Sequence, residues 1–77
     1  MVVKQHGAND MENKQNFINK TIVHDGEVWK VIGVGVQTDA NTFCHLSNLH
    51  RGRQQKNGWF PAQINDWVDT EVLKAAK

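Results

Sequence analysis

One cysteine, one proline and no tyrosine in 77 residues already narrow what this chain can be. A lone Cys44 cannot make an intramolecular disulfide, so a small core must hold without staples, which suits a reducing, cytoplasmic setting. No apolar run approaches the roughly 18 residues a membrane span needs. The first residues lack the basic start and apolar stretch of a secretory signal. Catalytic patterns are missing too: there are no paired carboxylates, no nucleophile–base spacing and no phosphate loop. Residues 33–38, GVGVQT, have two glycines of a dinucleotide fingerprint but Thr38 in place of the third, and a turn follows where a helix should begin. A non-enzymatic protein with no small-molecule cofactor is expected.

Negative charge is absent from one long stretch. Residues 40–65 contain no Asp or Glu but hold Arg51, Arg53 and Lys56, so they carry +3 while the other 51 residues sum to −2. With a net charge of +1, the chain as a whole is no polyelectrolyte binder. Any attraction for polyanions must be local.

What is present organises around residues 26–37, GEVWKVIGVGVQ, the longest apolar and β-branched stretch. Asp25-Gly26 precedes it, and Asp-Gly between strand-like runs signals a two-residue hairpin because both turn residues need positive φ. That turn pairs Ile22 with Trp29 and Val23 with Val28. A second turn around residues 39–41 leads to a third strand at 42–49. Centring it between Asp39 and Ala40 pairs Val36 with Phe43, Gly35 with Cys44, and Gly33 with Leu46.

Alternation then places Ile22, Trp29, Val31, Gly33, Gly35, Cys44 and Leu46 on one face. Val23, Val28, Ile32, Val34, Val36, Phe43 and His45 fall on the other. Both faces of the middle strand are apolar, as in a strand covered on two sides.

Residues 50–58, HRGRQQKNG, read as an exposed loop. Beyond Pro61, the stripe Ile64, Trp67, Val68, Val72 has helical spacing, with a start between residues 62 and 66 and Asn65 as a capping residue. The later start leaves a short fourth strand before it. Trp67 is assigned to the core. Residues 1–15 read as a disordered tail and residues 16–77 as one small domain. The expected fold is α+β: a three- or four-stranded antiparallel meander packed by one C-terminal helix. A small SH3-like barrel with a terminal helix is the alternative.

Two functional readings follow. His50, Arg51, Arg53, Gln54 and Lys56, with Trp59 beside them, have the parts for contacting DNA or RNA: cations for phosphates, amides for base edges or phosphates, an indole for stacking. Alternatively Trp59, Phe60 and an uncovered apolar sheet face make a protein-interaction surface, with a homodimer as the simplest case. Cys44, His45 and His50 invite a metal reading, but adjacent strand positions face opposite ways and paired-Cys spacing is missing, so no metal is expected.

Overall fold

The computed structural model describes residues 14–77. A 3-10 turn at Lys14–Phe17 leads into four antiparallel strands: β1 Thr21–His24, β2 Glu27–Gln37, β3 Asn41–Gln55 and β4 Gly58–Asp69. A short helix, α1 Thr70–Ala75, ends the fold. The strands follow in order as an open meander, so β1 and β4 are its two edges. Lys14 and Gln15, the end of the expected tail, belong to the 3-10 turn; the rest of that tail lies outside the described residues. Phe17, which opens the strand-like run of residues 17–24 in the sequence, is instead buried at the end of that turn, and Asn19 at φ 78° separates it from β1.

The first hairpin follows the local code. Asp25 and Gly26 have φ values of 54° and 79°, as the tight turn demands, and Ile22↔Trp29, Val23↔Val28 and His24↔Glu27 pair as expected. The β2–β3 register differs. At the turn, Gln37↔Thr42 agrees with the sequence reading, but irregularities between Val34 and Gln37 and between Val31 and Gly33 each shift the ladder by one residue. Val31 therefore pairs with Leu46, and Gly33 with His45. One inserted residue sends those after it to the opposite face. Gly33 and Gly35 thus lie against His45 and Phe43, away from the core face where strict alternation put them.

The core occupies one side only. Phe17, Ile22, Trp29, Val31, Cys44, Leu46, Val68 and Leu73 form a single buried cluster, with Val34 and Ile64 packed on it. Each large apolar side chain there contributes about 1.5–3 kcal/mol relative to exposure. Among the described residues nothing covers the other face: Val23 and Val36 are exposed there, and so is Trp67.

The C-terminal half needs the largest correction. Residues 62–69 are strand, and the helix begins at Thr70, capped by Asp69, whose side chain accepts from the Glu71 amide at 2.8 Å. Ile64 and Val68 are four apart, a spacing that fits a helical face and a strand face equally. Trp67 breaks the tie by pointing to the other face, where its ring packs on Phe43 with centroids 5.1 Å apart. Pairing of β4 with β3 from Asn41↔Asp69 to Ser47↔Gln63 outweighs local helix preference.

The sheet also curls. His24 on one edge strand reaches Asp66 on the other, Nε2 to Oδ2 at 3.0 Å, although β1 and β4 are not paired. Lys20 Nζ donates to the carbonyls of Leu73 and Lys74, holding the C-terminal end of α1 against the start of the sheet.

Candidate nucleic-acid interface

The segment expected to be a loop at residues 50–58 is the projecting end of a long hairpin. The last β2–β3 pair is Trp29↔Asn48, yet β3 continues to Gln55 and pairs with β4 down to Gln55↔Gly58. A two-stranded arm therefore extends past the rest of the sheet, and the molecule measures 57 × 24 × 19 Å. Lys56 and Asn57 form its tip.

A joint fixes where the arm leaves the body. Between Ser47↔Gln63 and Gly52↔Pro61, four β3 residues stand opposite the single Ala62. Asn48, 2% exposed, organises this excess: its Oδ1 accepts from the His50 and Arg51 amides at 2.8 and 2.6 Å. Its Nδ2 donates to Glu27 Oε1 at 2.9 Å. Arg51 grips the same carboxylate with two bonds, Nε to Oε1 at 2.8 Å and a terminal nitrogen to Oε2 at 3.1 Å. Its guanidinium also lies 5.7 Å from the Trp29 ring centroid. The Arg51 hydrogen bond is the main reason the Glu27 carboxyl titrates below its usual range, and the same bond raises Arg51.

Of the residues expected to contact phosphates, Arg51 is thus engaged in holding the joint. Arg53 and Lys56 lie further out, exposed and without an ion pair to any described residue. His50 is exposed within the joint, and the Gln54 side chain donates to the neighbouring Gln55 carbonyl at 3.2 Å.

Trp59 and Phe60, each about half exposed, are adjacent in a strand and face opposite ways. Trp59 pairs with Gln54 and lays its indole over Gly52, where a Cβ would meet Cζ2 at 2.5 Å and collide with the Phe60 carbonyl. Phe60 pairs with Arg53 on the other side. There it lines a shallow groove of about 310 Å³ with Arg51, Arg53, Gln55, Pro61 and Ala62.

Other acidic groups lie at the far end. Asp39, in the β2–β3 turn, and Asp69, opposite Asn41, lie at the end of the sheet away from the arm tip, and Glu71 follows in α1. Lys14, which donates to the Gly35 carbonyl, and Lys74, beside Glu71, lie at that end too, while Glu27 sits at the root of the arm, so both ends carry charges of both signs.

Cys44 is fully buried, and burial pushes its thiol up to about 11, so it stays protonated at neutral pH. His45 faces the opposite side and bonds Gln63 at 3.1 Å. One grouping the sequence did not reveal is His24, Asp25 and Asp66, whose ligand atoms lie within 4.8 Å of one another and could hold a cation. Residues 24 and 66 are brought together only by the curl of the sheet. Asp66 titrates low, chiefly because His24 bonds it and secondarily through the Trp67 amide. Among the described residues, no helix is long and apolar enough to cross a membrane.

Comparison with known protein families, with curated proteins and with solved structures finds no match to this chain.

Proposed function

We propose that this is a non-enzymatic nucleic-acid-binding protein that contacts its target through the β3–β4 arm. The observation carrying the reading is the arm itself: a projecting ribbon whose Arg53 and Lys56 make no ion pair among the described residues, flanked by exposed Trp59 and Phe60. Two-stranded ribbons suit nucleic acid in shape, and unpaired cations suit phosphates. The lone protonated thiol is compatible with work in a reducing compartment.

Fluorescence anisotropy with labelled oligonucleotides across a salt series tests this. Wild-type protein should bind with strong salt dependence. The double variant Arg53→Ala/Lys56→Ala should bind more weakly, with a log–log salt slope shallower by about 1.4 on a single strand. Absence of binding at low salt ends the proposal. Arg51→Ala does not serve here, because it dismantles the joint as well as removing charge.

A second reading, self-association, draws on the sheet face that the described residues leave uncovered, carrying Val23, Val36 and Trp67. It predicts a concentration-dependent dimer in sedimentation that Val36→Lys disperses. A monomer at every concentration removes it.

A further inference from the structure

We infer that the groove beside Phe60 binds an unpaired nucleobase, so the arm prefers single-stranded nucleic acid or frayed and looped regions to intact duplex. This rests on the nucleic-acid reading above and specifies its ligand. The two faces of the arm differ in what they offer. On one, the Trp59 indole is packed down on the Gly52 backbone and partly occupied by it. On the other, the Phe60 ring is about half exposed, borders the groove, and stacks on no other ring among the described residues.

The groove has the composition of a base site. Phe60 and Pro61 give it apolar surface, Gln55 supplies an amide that can donate and accept, and Arg53 places a cation at the wall. No carboxylate lines the groove, and Glu27 at the root of the arm is bound by Arg51 and Asn48, so nothing in the wall repels a phosphate. At about 310 Å³ the cavity is at the small end of ligand sites, room for one ring system and its sugar. In a duplex, base faces are covered by their neighbours above and below. Only a base out of the stack can lie on Phe60.

The test compares labelled oligo-dT with the same strand annealed to oligo-dA, at matched ionic strength, for wild type, Phe60→Ala, Phe60→Leu and Arg53→Ala. Circular dichroism and fluorescence of the buried Trp29 verify that each variant is folded. Wild type should bind oligo-dT more tightly than the duplex. Phe60→Ala should weaken oligo-dT binding by about 5- to 150-fold, the range for losing one stacking aromatic, with little change in salt slope. Phe60→Leu, which keeps bulk and apolarity but loses the π face, should fall close to Phe60→Ala. Arg53→Ala should lower the salt slope and leave the single-strand preference in place.

Duplex binding as tight as oligo-dT, or Phe60→Leu binding like wild type, overturns the base site while leaving a salt-dependent nucleic-acid binder. No binding to either probe at low salt overturns both.

Discussion

The body and the arm of this molecule are built from the same two strands by different means. In the body, β3 and β4 lie in a four-stranded sheet whose one buried side holds Trp29, Val31, Leu46 and Leu73 with almost no exposure. In the arm, the same strands continue with no third strand beside them among the described residues, and every β3 residue from Leu49 to Gln55 is exposed. Two-stranded ribbons are marginal alone in water. What gives this one a defined direction is the joint, where Asn48, Glu27 and Arg51 tie it to β2. The difference teaches that apolar burial sets the stability of the fold, while a small polar cluster sets the aim of its most exposed part.

Truncating the body should have the largest effect. Leu46→Ala removes a fully buried side chain at the centre of the core and should cost about 2–5 kcal/mol, read as a lower denaturant midpoint. An equivalent loss from Leu49→Ala, at 43% exposure within the joint, would erase the distinction between the two regions.

Next comes Gly52→Ala. Its added methyl would collide with the Phe60 carbonyl and the Trp59 ring, and overpacking of this kind costs about 1–3 kcal/mol. The damage should be confined to the arm: amide signals of residues 52–61 should shift while those of residues 29–46 stay in place. Shifts throughout the core would mean that arm and body are one cooperative unit.

The smallest effect should come from acid. Both Glu27 and Asp66 titrate below their ordinary values of 4.5 and 3.8. A carboxylate with a depressed folded-state pKa contributes stability that is complete above its unfolded pKa and is lost as pH falls through the folded one. Arm protection against hydrogen exchange should therefore hold at neutral pH and decline below about pH 4.5 as Glu27 is protonated and releases Arg51. Glu27→Gln should exchange faster already at neutral pH, with a flatter acid dependence. An unchanged acid profile in that variant would remove Glu27 from the joint.

Legibility in the sequence followed the range of the interaction. The β1–β2 hairpin was readable because Asp25-Gly26 is a local signal that fixes register by itself. The β2–β3 turn was placed well, but the irregularities near the glycines moved Gly33 and Gly35 to the other face, and no single residue marks an inserted one. In β4, spacing of four between Ile64 and Val68 satisfies both periodicities, so only the partner strand decides. The basic character of residues 51–56 was legible, and so was the exposure of that stretch. The commitment of Arg51 to Glu27 was not, because it depends on an irregularity at Asn48 that brings three separate positions together.

The meander has a consequence for how the chain assembles. Each strand pairs only with its neighbours in order, so every ladder can form as soon as the next strand is made. The contacts joining the two ends come from afar: Lys20 reaches the carbonyls of Leu73 and Lys74, and Phe17 and Leu73 share one cluster. We expect the sheet to form first and its buried side to stay wet until residue 73 arrives. Leu73→Ala should then speed unfolding more than it slows refolding in stopped-flow fluorescence, and an equal or greater loss in the refolding rate would reverse that order. The last six-residue helix acts as a latch on a sheet already built.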